Sequence, residues 1–477
     1  MRGIRSPGPA QPRTRQAAGA RAQARARPGQ GARPLAGLGL SGEAKQHLLA
    51  QVLGAIALYA LVVNFIVGAI SALIFLLASV TVFVLGPRQA LAGFVRVAPL
   101  FALPLMALVS TAWSEAPGTT ARAALQVLAT AAAATVLGVR CSEKTVVLAL
   151  FLGLLTVCST AIPEAREGLQ TGLPILGSFG SKNALGIHSQ FLEIFALAVA
   201  FDRTRGWAMR LFALGALALS LVLVFLARSG GAASLAGITL VLFPVLLLFG
   251  RLPIWARISG LVSALVLAIV GLILAPQISA LVAWFRTDVL GKDATLTGRT
   301  ELWEIADKLV SERPLLGHGY FAFWRLGNPE AEAIWRNFGV GRGGGFNFHN
   351  EIVEFSVGLG QVGVGLLIVL CLIVAGLVAI RHILHPSFQS AVAVTALVSI
   401  YARAFVETGL IAPFSIVLAY WMIMASRAVA VLRTGAVPGA TPPLAAGHEI
   451  QRGSPAWPAR SPLPATGPRG QVLTGRD

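Results

Sequence analysis

Val362-Gly-Val-Gly-Leu-Leu-Ile-Val-Leu-Cys-Leu-Ile-Val-Ala-Gly-Leu-Val-Ala379 is a run of eighteen residues without a charged side chain. A helix of about 20 apolar residues crosses the hydrocarbon core of a bilayer, and similar runs recur along most of the chain. A transmembrane strand would instead alternate polar and apolar residues over about ten positions, and these runs do not alternate. The sequence therefore predicts transmembrane α-helices.

The composition of the chain supports the same conclusion. Hydrophobic residues make up 56% of the 477 residues and charged residues 12%, whereas a soluble domain carries about 25% charged residues. Hydropathy predicts spans near residues 47–66, 68–86, 95–112, 119–138, 145–162, 184–201, 209–227, 231–250, 255–275, 351–379, 388–406 and 412–432. Eleven spans remain an alternative, because the first two are nearly continuous. The predicted fold class is all-α, a polytopic membrane protein of about twelve transmembrane helices, with residues 47–433 as its transmembrane domain.

The two ends of the chain have a different composition. Residues 1–46 are rich in Arg, Pro, Ala and Gly and poor in aromatic and branched residues, so they cannot offset the entropy of ordering. We therefore expect a disordered basic tail at residues 1–46 and a second disordered tail at residues 434–477. The net charge of +18 lies largely in these tails and in short loops. It predicts a topology signal or contact with anionic membrane lipid, rather than binding to nucleic acid.

Basic residues recur in every second connecting loop and predict the orientation of the chain. They are Arg88, Arg96, Arg140, Lys144, Arg203, Arg205, Arg210, Arg251, Arg257, Arg381, Arg427 and Arg433. Because cytoplasmic loops carry an excess of Lys and Arg, we expect these loops and both termini to be cytoplasmic. The alternate loops, including the long one at residues 277–350, are then expected to face outward.

The loop at residues 277–350 is the one long polar interval between the apolar segments, and two short helices are predicted within it. Thr297 is suited to cap the first helix, whose apolar residues recur at helical spacing and stop before Pro314. Asn328 is suited to cap the second, since a proline follows it at the first helical position. The glycines of 341–345 predict a flexible joint before the next span.

The same topology rule disfavours cations on the outward side, so four that stand at the ends of spans or in the long loop need an explanation. They are Arg122, Lys182, Arg228 and Arg299. One interpretation is pairing with outward carboxylates, of which Glu115, Glu164, Glu167 and Glu407 are available. The other is a shared site for an anionic ligand. Arg299 favours this second interpretation, because a guanidinium in the first turn of a helix, beside free N–H groups, suits a phosphate.

His349 and Asn350 lie directly before the apolar segment at residues 351–379, at the outward mouth of that span. An imidazole at the boundary between water and membrane can take a proton from a hydroxyl nucleophile. The alternative is an interfacial histidine whose hydrogen bonds are satisfied. His318, which lies between two glycines, is a second candidate polar contact.

The sequence contains no motif for a metal ion or a nucleotide cofactor. It lacks HExxH, a Walker lysine loop and an aspartate-rich cluster. Cys141, Cys158 and Cys371 do not have metal-binding or redox spacing, so we expect them to pack against neighbouring helices. We therefore expect neither a metal nor a cofactor.

Several segments, in a consistent order, resemble the O-antigen ligase and polymerase superfamily of bacterial envelope enzymes, and exopolysaccharide polymerases most of all. They are Ser110-Thr-Ala-Trp-Ser114, Gly177-Ser-Phe-Gly-Ser-Lys-Asn-Ala-Leu-Gly186, Leu296-Thr-Gly-Arg-Thr-Glu-Leu-Trp303, Arg313-Pro-Leu-Leu-Gly-His-Gly-Tyr-Phe-Ala-Phe-Trp324, His349-Asn350 and Gly358-Leu-Gly-Gln-Val-Gly363. Two positions depart from the family's pattern. Arg228 precedes Ser229, where ligases of the family have the reverse order, and His318 stands where the family often has tyrosine.

The resemblance implies an enzyme of the bacterial inner membrane that transfers a glycan from undecaprenyl diphosphate to an acceptor hydroxyl on the periplasmic side. It implies that Arg299 contacts the diphosphate and that His349 removes the proton of the acceptor hydroxyl. The candidate substrate-binding residues are Arg122, Lys182, Arg228, Asn350 and His318. The implied partners are the lipid-linked donor, a glycan acceptor, membrane lipid and a chain-length regulator.

The leading interpretation is a polymerase that joins lipid-linked repeat units. A ligase that moves finished polymer to lipid A–core or to protein uses the same donor chemistry, so the residues do not separate the two. A transporter or flippase of lipid-linked sugars also needs about twelve spans, but the sequence lacks the internal repeat typical of transporters. A scaffold that binds polysaccharide without chemistry is a further alternative.

Overall fold

The structure, a computed structural model, describes residues 41–274, 277, 298–341 and 346–435. The described residues from 46 onward form one compact unit, and residues 41–45 contain the beginning of a helix. Within the described ranges the chain forms α-helices, 3-10 turns and loops, without a β-strand. The all-α fold class is therefore confirmed. The two predicted disordered tails lie outside the described residues, except for residues 41–46 and 434–435.

The described ranges contain sixteen α-helices. The first eleven are α1 (Gly42–Val67), α2 (Ala69–Val84), α3 (Pro87–Val97), α4 (Ala102–Val109), α5 (Pro117–Arg140), α6 (Glu143–Ser159), α7 (Ala165–Thr171), α8 (Lys182–Ala200), α9 (Trp207–Leu226), α10 (Gly230–Phe249) and α11 (Ile254–Ile273). The other five are α12 (Arg299–Glu312), α13 (Pro329–Asn337), α14 (Glu351–Leu384), α15 (Phe388–Ala404) and α16 (Ile416–Thr434). Two 3-10 turns extend α3 and α4 into one helical segment, Pro87–Ala112.

Local sequence signals explain where several of these helices begin. The Ser142 hydroxyl accepts from the N–H of Thr145 at 3.1 Å and caps α6. Ser387 caps α15 and Ser415 caps α16 in the same way. Each hydroxyl satisfies an N–H group that has no partner within the helix.

The predicted count of twelve spans is not confirmed. Among the described residues, nine helices are long and apolar enough to cross a membrane, and a pair bent by 41°, α6 with the helical turns at 162–171, raises the number to ten. All twelve predicted apolar segments coincide with helices, but α2 and α15 have only 16 and 17 residues. The difference therefore lies in helix length, because about 20 residues are needed to span the hydrocarbon core.

Charged residues from the predicted cytoplasmic loops meet at one end of the bundle. The carboxylate of Glu143, in the first turn of α6, lies 2.6 Å from Arg381 of α14 and 3.6 Å from Arg427 of α16. Arg427 also donates to the carbonyl of Cys141 at 2.6 Å. Three helices are thereby joined at this end, as expected if loops on one side of a membrane share their charge pattern.

At the opposite end, α14 is broken at Gly360, where the backbone turns to φ 65° and ψ −167°. The segment at residues 313–320 of the long loop replaces the missing helical hydrogen bonds. His318 and Gly319 donate to the carbonyls of residues 357 and 358 at 2.9 Å, and the N–H groups of residues 361 and 362 donate to the carbonyls of Pro314 and Leu315. The segment at residues 313–320 is therefore bonded to α14 at its break, since no backbone group can stay unpaired in apolar surroundings.

The turn between α4 and α5 holds the same loop segment from the other side. The indole N–H of Trp113 donates to the carbonyl of Leu316 at 3.0 Å. Tyr320 donates its backbone N–H to Ser110 at 3.1 Å and accepts from Thr120 at 2.8 Å. The family-like segment at residues 110–114 is thus a structural clamp for the loop.

The two short helices predicted in the loop are present. The first, α12, ends before Pro314 as predicted, but Gly298, with φ 78°, is its N-cap, so the prediction of Thr297 as the cap is wrong. The Asn328 side chain caps α13 and accepts from Glu330 at 3.3 Å, as predicted. The predicted joint at 341–345 lies outside the described residues, apart from Gly341.

Gly360→Ala tests the dependence of the fold on the break in α14. The native backbone angles are open essentially to glycine, so a side chain costs about 1–3 kcal/mol, and the new Cβ would overlap the backbone of Leu315. We expect a clearly lower thermal unfolding midpoint of the purified protein in detergent. Gly365→Ala, on the same helix with no atom within 4 Å of the added Cβ, is the matched control. Equal midpoints for the two variants would contradict this account.

Candidate functional site

The ends of several helices enclose a cavity of about 610 Å³ beside the long loop. Four of its lining side chains are cationic, and they come from the start of α8, the turn between α9 and α10, the start of α12 and the last turn of α15. They are Lys182, Arg228, Arg299 and Arg403. Glu407 is the carboxylate among the lining residues, and His349 lies against it. We refer to this space as the basic cavity.

Glu407 connects the groups of the basic cavity. Its Oε1 atom lies 2.8 Å from Nδ1 of His349 and accepts from the Asn183 amide at 2.9 Å. The Arg299 guanidinium lies 3.8 Å from the same oxygen. The Asn183 amide in turn accepts from the hydroxyl of Ser229 at 3.1 Å. One buried carboxylate therefore contacts side chains from three separate parts of the chain, and Asn183 connects a fourth part, at Ser229.

The charge state of Glu407 sets the tautomer of His349. Burial alone would raise the pKa of the Glu407 carboxyl, but the hydrogen bond from His349 and the neighbouring cationic charges outweigh burial and hold that pKa below its usual value. An ionised carboxylate can only accept hydrogen bonds. Nδ1 of His349 therefore donates to Glu407, which leaves Nε2 as the ring nitrogen without a partner among the described residues.

Two other cations of the basic cavity are free to meet a ligand, whereas Arg403 donates to the carbonyl of Thr408 at 2.8 Å. Lys182 and Arg228 are exposed at the cavity, and neither lies within 4 Å of a carboxylate in the described part of the chain. Of the two interpretations that the sequence left open, pairing holds only for Arg299, at the long distance of 3.8 Å. Unpaired cations at a cavity favour an anionic ligand.

Two residues of the basic cavity have a backbone conformation that side chains disfavour. Arg228 has φ 50° and His349 has φ 54°. A residue other than glycine in this region costs of the order of 1 kcal/mol or more, and such residues cluster at functional sites. The N–H of His349 donates to the side chain of Asn347 at 2.7 Å, which helps to hold the turn.

The structure brings together four of the seven residues predicted from the sequence, namely Lys182, Arg228, Arg299 and His349. Arg122 lies exposed on α5 and does not line the basic cavity. Asn350 is the N-cap of α14, where its side chain accepts from residues 352 and 353. Neither residue lines the basic cavity.

His318 also lies apart from the basic cavity, and both of its ring nitrogens have protein partners. Nδ1 lies 2.7 Å from the carboxylate of Glu115 and Nε2 lies 2.9 Å from the carbonyl of Leu309. The ring is only 3% exposed. In this chain the histidine therefore joins the loop to α12 and to the turn after α4.

Arg403 and Asn183 are two residues of the site that the sequence analysis did not single out, and it named Glu407 only as a pairing partner. A signal for Arg403 was present, because the residue falls within the predicted apolar span at 388–406, where a charged side chain indicates function. Asn183 lies in a segment that was noted for its family likeness, without a role. Its position became clear only from the contact with Glu407.

Glu351, the first residue of α14, supports the segment that carries Glu407. Its two carboxylate oxygens accept from the backbone N–H groups of residues 409, 410 and 411, at 2.7, 3.2 and 3.1 Å. Glu351 is only 2% exposed. It fixes the chain after α15 relative to the chain that carries His349, and so sets the spacing of the pair.

Two comparisons with known proteins bear on the site. The family model described as O-Antigen ligase matches residues 215–368. The Exopolysaccharide production protein ExoQ of Rhizobium meliloti (strain 1021) is 26% identical over 341 residues, which cover 69% of this chain and 76% of that protein. Arg228, Arg299 and His349 all lie within the range that the family model matches.

Glu407→Gln tests the electrostatic role of the carboxylate. A carboxyl whose folded pKa is lowered contributes stability above its unfolded pKa, about 4.3, and that contribution is lost as the pH falls through the folded pKa. We therefore expect Glu407→Gln to lower the thermal unfolding midpoint at pH 7, and the gap to wild type to shrink toward pH 3. Glu167→Gln, at an exposed carboxylate on the same side, is the control. A gap that persists unchanged in acid would contradict the assignment.

Proposed function

We propose that this chain, a member of the O-antigen ligase and polymerase superfamily, is a membrane glycosyltransferase that polymerises lipid-linked repeat units. The donor is a glycan on undecaprenyl diphosphate, and the acceptor is a hydroxyl of a second glycan. The observation that supports this proposal most strongly is the His349–Glu407 pair, which lies on the wall of a cavity lined by four cations. The pair can accept a proton, and the cations can bind two phosphates.

The cationic side chains suit the leaving group of this reaction. Arginine binds phosphate oxygens with two parallel hydrogen bonds, and a lysine adds a point charge. Arg299 also stands at the first position of α12, where free N–H groups and the helix dipole favour an anion. We propose that the diphosphate lies between Arg299, Arg228 and Lys182, and that these charges stabilise its departure without a metal ion.

The proposed step is a single displacement. The acceptor oxygen forms a bond to the anomeric carbon of the donor while its proton passes to Nε2 of His349. The bond from the anomeric carbon to the phosphate oxygen breaks, and undecaprenyl diphosphate leaves with the electron pair. Glu407 stabilises the imidazolium that forms, because its carboxylate accepts the Nδ1–H. A single displacement inverts the anomeric configuration.

Polymerisation is the preferred form of the reaction because ExoQ, the relative matched over most of the chain, is named as an exopolysaccharide production protein. The family description O-Antigen ligase favours a second candidate, transfer of finished polymer to lipid A–core or protein. Both use the same donor chemistry. In either case we propose that the chain lies in the bacterial inner membrane with the site on the periplasmic side, as the basic loops predict.

Substitutions in the basic cavity should strongly lower the rate of transfer while the protein still folds. We expect His349→Gln to lower the rate of product formation from purified lipid-linked oligosaccharide on the order of 10²–10⁴-fold. Arg299→Ala should lower it on the order of 10²–10³-fold, and Arg299→Lys should lose less because the charge remains. Arg336→Ala, which removes an exposed arginine from α13 in the same loop, is the control.

Two outcomes would contradict this assignment. If His349→Gln converts the lipid-linked substrate at the wild-type rate, the histidine is not the base. If wild-type protein moves lipid-linked oligosaccharide across vesicles but never lengthens it, a transporter is the better description.

Deletion of the gene separates polymerase from ligase in cells. We expect the glycolipids of the deletion strain to carry single repeat units, because polymerisation precedes attachment. Free long polymer in that strain would instead identify a ligase. Complementation with Arg336→Ala should restore the wild-type profile, and complementation with His349→Gln should not.

A further inference from the structure

A second cavity, of about 390 Å³, adjoins the segment that carries His349. The residues that line it come from the loop after α12, from α13, from the first turns of α14 and from the chain after α15. Seven of the lining side chains are aromatic, among them Phe321, Trp324, Trp335 and Phe346. We refer to this space as the aromatic cavity. Its volume lies within the range of about 300–1,000 Å³ typical of small-molecule sites.

Polar groups are placed on the aromatic wall with unused hydrogen-bonding capacity. Glu354 accepts at Oε2 from the indole of Trp324 at 3.2 Å and from the N–H of Phe348 at 3.0 Å, while its Oε1 has no partner in the described part of the chain. Trp335 is 4% exposed, and its indole N–H has no acceptor among the described residues. A buried donor without an acceptor costs about 1–3 kcal/mol, so a ligand that supplies an acceptor would be favoured.

This combination of groups suits a sugar better than a lipid tail. The C–H faces of a sugar ring are apolar and can lie against aromatic rings, which present flat surfaces with a polar edge. Its hydroxyls can donate to a carboxylate and accept from an indole N–H. A polyprenyl chain could cover the rings, but it would leave the Glu354 carboxylate against hydrocarbon, which is strongly unfavourable.

The two cavities adjoin at the segment that carries His349. Phe346 lines both of them, and its ring packs edge-on against the His349 ring with 5.6 Å between the ring centroids. Asn347, which accepts from the N–H of His349, lines the aromatic cavity. In an inverting transfer the nucleophile approaches the sugar from the face opposite the leaving group. A diphosphate in the basic cavity therefore calls for an acceptor on the aromatic side.

We infer that the aromatic cavity is the binding site of the acceptor glycan, with Trp335 and Phe321 as the rings that hold a sugar and Glu354 as its hydrogen-bond acceptor. The inference rests on the proposed function, because only a transferase has an acceptor glycan. Sugar binding in the cavity does not depend on that function. Phe321 is 42% exposed, with φ 58°, so an aromatic side chain is held at the cavity in a disfavoured backbone conformation.

The test uses the full chain in detergent and a soluble probe, the oligosaccharide released by mild acid from the cell's own lipid-linked repeat unit. We expect this glycan to bind the wild-type protein and to bind Trp335→Phe about 3–10-fold more weakly, because one hydrogen bond is worth about 0.5–1.5 kcal/mol. Phe321→Ala should weaken binding by a similar factor with little effect on folding, since the ring is half exposed. Leu326→Ala, which removes a side chain 61% exposed in the same loop, should bind as wild type.

Steady-state transfer with the same glycan as acceptor gives a second readout. We expect Phe321→Ala and Trp335→Phe to raise KM for the acceptor and to leave KM for the lipid-linked donor unchanged. Unchanged glycan affinity and unchanged acceptor KM in both variants would overturn the inference. Weaker binding of undecaprenyl monophosphate, instead of the glycan, would show that the cavity holds the lipid tail, which also overturns it.

His349→Gln separates failure of this inference from failure of the proposed function. The variant should bind the soluble glycan with wild-type affinity and should not transfer. If the wild-type protein binds the glycan through Trp335 and Phe321 but never elongates it, the glycan site stands and the transferase proposal fails. If transfer depends on His349 while the aromatic variants behave as wild type, the transferase stands and the acceptor site lies elsewhere.

Discussion

The need to pair every backbone group in apolar surroundings shapes the end of the helical bundle at which residues 313–320 lie. The long helix α14 breaks at Gly360, and the N–H and C=O groups that the break frees are satisfied by the loop segment at residues 313–320. This segment cannot leave without exposing those groups, so it is a fixed part of the membrane domain. Because α12 and α13 are attached to this segment, the fixed loop also places Arg299 at the basic cavity and Trp335 at the aromatic cavity.

A single carboxylate performs the corresponding task among the side chains. Glu407 contacts His349, Arg299 and Asn183. These residues belong to three separate segments, and Asn183 lies more than a hundred residues before the other two. Removing one partner from a buried charged group is costlier than removing a surface pair, so these contacts define one arrangement of the site. That arrangement leaves Nε2 of the histidine, Lys182 and Arg228 without a partner among the described residues, as the proposed transfer requires.

Periodicity and charge predicted much of this structure, and contacts distant in sequence account for the rest. All twelve predicted apolar segments coincide with helices. They could be predicted because the thickness of a bilayer requires long apolar runs, which are visible in the sequence itself. The choice of outward cations placed Lys182, Arg228 and Arg299 together, since the topology rule makes a cation on that side exceptional.

The break at Gly360 was not predicted, because a glycine within an apolar run has no local signature until its loop partner is known. Arg122 was included on charge alone, and its position on α5 could not be read from one sequence. His318 is flanked by two glycines, whose conformational freedom allows the loop to approach α14 at Gly317 and Ser114 at Gly319.

The turn at residues 346–350 shows why the two cavities adjoin at a histidine. Phe348 is completely buried, its N–H donates to Glu354, and its carbonyl accepts from the indole of Trp303 at 2.9 Å. With residue 348 fixed on the aromatic side and Asn350 fixed as the cap of α14, the chain between them must reverse within one residue. His349 accomplishes this reversal at φ 54°, and its side chain is directed to Glu407 on the basic side. The strain at this position follows from anchoring both neighbours. His349 thereby lies where the aromatic cavity and the basic cavity adjoin.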